Sequence, residues 1–300
     1  MDTALAARMD SFARDFAPAL QRAIEQDAGA NEHARPHRLV AAMLHGALNG
    51  GKRLRPFLLV ESARLFGEPP AGVTQAAVAL ECVHCYSLVH DDLPAMDDDD
   101  MRRGQPTVHI AYDEATAILA GDALLTLAFD LIAEAGGMSA ETRIALISEL
   151  ARASGAGGMV GGQMLDIEAE TTAPDEAGIV RLQAMKTGAL LRFAARAGAL
   201  AMAASADDRI RLTRYGEAIG LAFQIADDLL DLTADAATLG KATGKDAARG
   251  KGTLVSLHGV DWARARLDAL VAEAHDTLTP FGDRAATLRA LAAFVANRSN

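Results

Sequence analysis

Apolar residues recur at three- and four-residue intervals over most of the chain, which is the period of a helix and not the alternation of a strand. Between residues 3 and 26, Leu5, Met9, Phe12, Phe16, Leu20 and Ile24 lie near one face, and Pro18 is expected to bend or divide the segment. After a stretch rich in charge and histidine up to about Pro36, the pattern predicts a helix from Arg38 to Leu48, ended by Asn49-Gly50-Gly51. Another runs from Arg55 to Phe66 and closes at Gly67 and Pro69-Pro70. A helix starting at Thr74 is expected to stop near Asp92, because Pro94 lacks an amide donor and biases Leu93 away from helix. That stop lets Asp97 curl back towards Asp91. Further helices are predicted at 107–135, 140–166, 175–204 and 207–233, then a Gly/Lys/Asp loop over 240–252 and two or three closing helices. The patch Gly155-Ala156-Gly157-Gly158-Met159-Val160-Gly161-Gly162 interrupts one of these. Each helical Gly costs about 1 kcal/mol relative to Ala, so it marks either a loop or a close backbone approach. No repeat, low-complexity tail or linker divides the chain, and the pattern reads as one all-α domain over residues 1–300.

Composition supports that class. Half the residues are hydrophobic but only 4% are aromatic, and alanine is abundant, which favours close-packed helices over a β-sandwich. Net charge is 29 − 40 = −11, and no basic stretch offers the footprint that nucleic-acid binding requires. The N-terminus mixes acidic and basic residues where a signal peptide would be apolar, and no uncharged apolar run of about 18 residues predicts a membrane span. Cys82 and Cys85 form a CxxC inside a helical pattern. A zinc site would need about four ligands, so the pair reads as core thiols of a cytoplasmic protein.

The candidate chemistry begins with Asp91-Asp92-Leu93-Pro94-Ala95-Met96-Asp97-Asp98-Asp99-Asp100-Met101-Arg102-Arg103-Gly104. Such a run is either a solvated acidic loop or a cation site. It fails the EF-hand pattern, and hard carboxylate oxygens beside paired guanidiniums suit a phosphate that carries Mg2+. A second set runs from Gln224 through Asp227 and Asp228 to Asp231: on a helix Asp227 and Asp231 share a face with Gln224 one turn earlier, within a run too apolar for an ordinary wet face. Two acidic sets in one helical chain suggest facing helices with metal ions between them. Cations gather at Gly50-Gly51-Lys52-Arg53-Leu54-Arg55-Pro56, where a loop leads into a helix and free amides favour an anion. Lys186-Thr187-Gly188 sits among apolar residues. Lys241, Lys245 and Lys251 lie in the later Gly-rich loop, and His84 stands two turns before Asp91.

Together these segments resemble the trans-isoprenyl diphosphate synthase family, in its short-chain bacterial farnesyl diphosphate synthase branch. The resemblance covers GGKRLRP at 50–56, DDLPAMDDDDMRRG at 91–104, TVHIAYDEATAILAGDALLTLAFDLIA at 107–133, GGQMLDIEAE at 161–170, KTGALLRFA at 186–194, FQIADDLLD at 223–231 and LGKATGKDAARGK at 239–251. It implies a single-domain isoprenoid synthase bundle with a central cavity between facing Asp-rich helices. Asp91, Asp97 and Asp227 resemble the principal ligands of three Mg2+ ions, with Asp92, Asp228 and Asp231 in support. Gly51, Lys52, Arg55, His84 and Arg103 resemble the residues that hold isopentenyl diphosphate. Arg102, Lys186, Thr187, Gln224, Lys241 and Lys251 resemble those around the allylic diphosphate.

The resemblance also implies elongation to a fifteen-carbon product in a homodimer. Tyr86 lies five residues before Asp91, roughly 7 Å along a helix, and resembles the aromatic floor that stops growth, while Ser87 is too small to block. A geranylgeranyl or geranyl diphosphate synthase is the alternative within the family. A class I terpene cyclase would lack GGKRLRP, and a non-catalytic partner subunit would have lost aspartates that all stand here. The lead into Lys186, Arg181-Leu182-Gln183-Ala184-Met185, and the stretch after Lys251 depart from the family pattern.

Overall fold

The computed structural model describes residues 3–29, 32–237 and 252–297. Their order is α1 (Thr3–Glu25), α2 (His37–Leu48), α3 (Leu54–Arg64), α4 (Ala71–Asp91), a short hairpin of Met101–Arg102 with Gln105–Pro106, α5 (Val108–Ala111), α6 (Glu114–Ala133), α7 (Ala140–Ser154), α8 (Met159–Ala169) and α9 (Glu176–Gln183). A π-helical turn, Ala184–Gly188, joins α9 to α10 (Ala189–Ala201). There follow α11 (Ala206–Ala237), α12 (Leu254–His258), α13 (Val260–Thr277), a 3-10 segment (Thr279–Ala285) and α14 (Ala286–Ala296). The all-α expectation holds.

Several boundaries differ from the sequence reading, each for a local reason. Pro18 lies inside a continuous α1. Helix α4 starts at Ala71, just after Pro70 and three residues before Thr74, and the Gly72 amide donates to the Gly136 carbonyl at 2.9 Å. The stretch 107–135 is not one helix. It breaks at Tyr112, and Asp113 caps α6 by accepting from the Thr116 amide at 2.7 Å while Arg38 donates to Asp113 at 2.6 Å. The glycine patch resolves into both of its possibilities: residues 155–158 are a connection, whereas Gly161 and Gly162 lie in α8.

Contacts divide the described residues into two compact units. One comprises residues 6–60 and 68–147. Its axis is α4, whose apolar residues point in every direction, and thirteen of its residues are buried. Helix α6 packs along it, with α2 and α5 against α6. By length and composition α6 is the one helix among the described residues that could cross a membrane. Half of that window is buried, and Asp122 and Asp130 stand on its exposed side, which are marks of a core helix. The other unit comprises residues 1–5, 61–67 and 148–300. In it α10, almost wholly buried, packs on α11, which also carries α13 and α14. Tyr215 is fully buried in α11 and donates to the Leu288 carbonyl at 2.7 Å.

One charged residue sits within the core of α4. Glu81 is only 2% exposed, and Arg53, 6% exposed, meets it at 2.5 Å while donating to the Ala47 carbonyl at 2.7 Å. Removing one partner of a buried pair strands the other charge, which costs about 3–5 kcal/mol, whereas an apolar replacement of both is often close to neutral. Urea unfolding of Glu81→Ala is therefore expected to show a loss of about 3–5 kcal/mol. The double variant Arg53→Met/Glu81→Leu should recover most of it. A double variant as unstable as the single one would contradict this account.

Candidate active site

The cation-rich loop is built by backbone that reverses direction. Gly50, Gly51 and Arg53 all have positive φ, at 93°, 109° and 49°. This turns Arg53 inwards to Glu81 and leaves Lys52 exposed and Arg55 half-buried at the start of α3. The three cations of this loop thus separate, one into the core and two outwards. Gly51 also lets Arg103 come close: a Cβ there would lie 2.6 Å from Nη1 of Arg103, whose end would have to shift. That nitrogen donates to the Gly50 carbonyl at 2.5 Å and to Oδ1 of Asn49 at 3.2 Å. Arg55 donates to Nε2 of His84 at 3.4 Å, which requires the neutral ring. Two contact pairs result, Arg103 with the glycine loop and Arg55 with His84, and the charge of Arg103 also acts on His84.

The field around His84 is strongly positive. Its pKa is pushed well below the ordinary 6.5, first by burial and then by Arg55, Arg103, Arg53 and Arg102. A neutral donor ringed by guanidiniums suits an anion with many oxygens, such as a diphosphate.

The aspartate run folds as expected at its start. Helix α4 ends at Asp91 with Asp92 as its cap. The chain then turns so that the Asp97 amide donates to the Asp91 carbonyl at 2.8 Å and the Asp99 amide to the Asp92 carbonyl at 3.2 Å. Asp92 is 3% exposed and receives Arg102, with Nε at 2.8 and 3.0 Å from its two oxygens. Burial pushes its pKa up, against the pull of Arg102. The hairpin that follows reverses through Arg103 and Gly104, both at positive φ, the backbone a two-residue hairpin requires. It gives successive arginines different tasks, Arg102 to Asp92 and Arg103 to the glycine loop. One turn and more below Asp91, Tyr86 is 6% exposed, and burial, aided by Asp91, pushes its hydroxyl up to about 12. Ser87 is half-buried and donates to the His84 carbonyl at 2.9 Å. Cys82 and Cys85 are free and buried.

In the other unit, α9 and α10 are joined by the π turn that contains Lys186 and Thr187. Such single wide turns are frequent at functional sites. Lys186 meets Oδ2 of Asp166 in α8 at 2.7 Å. Helix α8 approaches this closely only through Gly162, where a Cβ would fall 2.2 Å from the Lys186 amide nitrogen. Gln183, buried at the end of α9, donates to Oδ2 of Asp228 in α11 at 3.2 Å. Its Oε1 has no hydrogen bond among the described residues. Gln224, Asp227 and Asp228 lie on the half-buried part of α11. The side chain of Asp231, and Lys241, Lys245 and Lys251, fall outside the described residues. Sequence reasoning missed Asp166 as the partner of Lys186, although it stands inside GGQMLDIEAE. It also missed Gln183, whose stretch it had registered as a departure.

A profile of polyprenyl synthetases matches residues 37–279. The chain belongs to the polyprenyl synthetase family. It is 47% identical over 271 residues to the farnesyl diphosphate synthase of Escherichia coli K12, covering 87% of this chain and 89% of that one. It is also 42% identical to the chloroplastic geranylgeranyl pyrophosphate synthase 9 of Arabidopsis thaliana, covering 89% of this chain and 76% of that one. Among solved structures, the apo form of an FPP/GFPP synthase from Zymomonas mobilis superposes with a TM-score of 0.86 at 42% identity, covering 99% of this chain and 100% of that one.

Prenyl synthases of this family generally use Mg2+. Asp91, Asp92 and Asp97 in one unit, and Asp227 and Asp228 in the other, carry hard carboxylate oxygens of the type that Mg2+ takes. No group of three His, Cys, Asp or Glu side chains converges among the described residues.

The neutrality of His84 has a consequence for stability. Below 6.5 the unfolded chain takes up a proton that the folded site refuses, so stability falls as pH falls through that value. Urea unfolding of the wild type and of His84→Gln between about pH 7.5 and 5.5 checks this. The variant should lose less stability over the interval, by up to about 1.4 kcal/mol per pH unit. Equal losses would mean that the ring is not held neutral.

Proposed function

We propose that this protein is a Mg2+-dependent prenyltransferase that condenses isopentenyl diphosphate with dimethylallyl or geranyl diphosphate and releases farnesyl diphosphate. The observation that supports it most is the cluster of Gly51, Arg55, His84 and Arg103, a positive site in a chain of net charge −11, next to a loop in which Asp97 folds back on Asp91. In this reading Gly51, Lys52, Arg55, His84 and Arg103 hold the diphosphate of isopentenyl diphosphate. Arg102, Lys186, Thr187, Gln224, Lys241 and Lys251 surround the allylic diphosphate. Asp91, Asp97 and Asp227 would hold three Mg2+ ions, with Asp92, Asp228 and Asp231 in support. The ions, when bound, neutralise the diphosphate as it leaves.

The chain's own groups do the rest. Arg102, Lys186 and Thr187 concentrate donors on the departing oxygens as the allylic C–O bond breaks. The Arg55, His84 and Arg103 cluster fixes isopentenyl diphosphate so that its double bond faces the allylic carbocation and forms the new C–C bond. The proton then lost goes to the released diphosphate, so no side-chain base is assigned. Apolar walls exclude water from the cation. Tyr86 is the floor that limits growth, and Ser87 leaves the space beside it open. Both units form one catalytic domain, in line with a family match that runs through both. We take the working form to be a cytoplasmic homodimer, which fits the exposed Ile118 and Leu119, the latter 57% exposed, on α6.

Incubation with Mg2+, isopentenyl diphosphate and either allylic starter, followed by sizing of the product, tests the reading. A fifteen-carbon product is expected, and chelation of the metal should abolish turnover. A protein that leaves isopentenyl diphosphate unconsumed is not an elongating synthase, and a twenty-carbon main product would favour the geranylgeranyl alternative. Tyr86→Ala is expected to shift the main product beyond fifteen carbons while the requirement for Mg2+ persists.

A further inference from the structure

The Tyr86 ring lacks an anchor of its own. Among the described residues its hydroxyl makes no hydrogen bond, and its one ring partner is His90, edge-to-face, with centroids 5.8 Å apart and planes at 79°. His90 stands four residues later on α4, so the two side chains share a face. Unlike Tyr86, His90 is tied down at its far end. Its Nε2 donates to the Ile118 carbonyl of α6 at 3.0 Å, which puts the proton on that nitrogen. The ring occupies space that exists only because residue 121 is glycine: a Cβ there would lie 2.1 Å from Nε2 and 2.5 Å from Cδ2. Those approaches are too close for the ring to keep its place beside any other residue.

We propose that His90, seated in the socket made by Gly121 and the Ile118 carbonyl, is a positioning residue that sets the height of the Tyr86 ring and thereby the product length. This rests on the reading of Tyr86 as the floor. Edge-to-face contact with a fixed imidazole resists tilting of the phenol ring, because the ring quadrupoles favour that angle. The contact acts at the level of the growing chain's tail and touches neither diphosphate, so its loss changes where growth stops.

The test sizes the products of wild type, Tyr86→Ala, His90→Ala, Gly121→Ala and Tyr86→Ala/His90→Ala made from Mg2+, isopentenyl diphosphate and geranyl diphosphate. The ratio of twenty-carbon to fifteen-carbon product is internal to each reaction and so independent of how much protein is folded. His90→Ala and Gly121→Ala are each expected to raise it by about threefold or more, the scale of one aromatic contact. In the Tyr86→Ala background, loss of His90 should add nothing, which a general loosening of α4 would not reproduce. If Gly121→Ala does not accumulate as folded protein, His90→Asn replaces it, keeping an amide donor but no ring, with the same rise expected. Should Tyr86→Ala lengthen the product while the His90 and Gly121 variants keep the wild-type ratio, the socket is overturned and the floor stands. Should Tyr86→Ala leave the product unchanged, both fall together.

Discussion

Crowding four guanidiniums around one neutral imidazole is the constraint on which the helices of the first unit are arranged. Two unit charges 4 Å apart repel by about 4 kcal/mol at the effective dielectric near a protein surface. Three of the four are compensated by oxygens. Arg53 is answered by Glu81, Arg102 by Asp92, and Arg103 by backbone and amide oxygens of the glycine loop. What is left over is a directed positive field at His84, in a chain whose total charge is −11. The loop that carries Arg53 turns through left-handed backbone at Gly50, Gly51 and Arg53, which reverses the chain ahead of α3.

Much of this was legible in the sequence because it is local. Helical periodicity, the Pro94 stop and the return of Asp97 follow from short-range rules, and the structure has all three. The misses share a different origin. The break at Tyr112 was hidden because helical apolar spacing runs on both sides of Asp113-Glu114; the cap shows in the Thr116 amide and Arg38, both donating to Asp113. Arg53 counted as one of three equal cations, because nothing in the run of letters says that Glu81, 28 residues later, lies buried beneath it. Asp166 was invisible as a partner for the same reason: its ion pair depends on how closely α8 can approach the Lys186 turn.

The comparisons set a limit of another kind. A bacterial farnesyl diphosphate synthase at 47% identity and a plant geranylgeranyl pyrophosphate synthase at 42% differ in name more than in distance from this chain. Where growth stops must therefore depend on few side chains on a shared frame. Tyr86, His90 and Gly121, on the packed helices α4 and α6, are the three positions to which the proposed reading gives that task. Hydrophobic pockets discriminate between successive chain lengths by small energies, so placement of a single ring is the proportionate means.

The wide turn at Ala184–Gly188 has a consequence for how the chain can vary. A π turn holds one residue more than a regular turn, so the apolar stripes of α9 and α10 are out of phase across it by one position, about 100° of rotation. Loss of a single residue within those five would restore an unbroken helix, which by itself is easy to fold. It would also remove the wide turn on which Lys186 meets Asp166. The segment is thus a place where the smoother backbone is the one without the ion pair, and where length, more than residue identity, is under constraint.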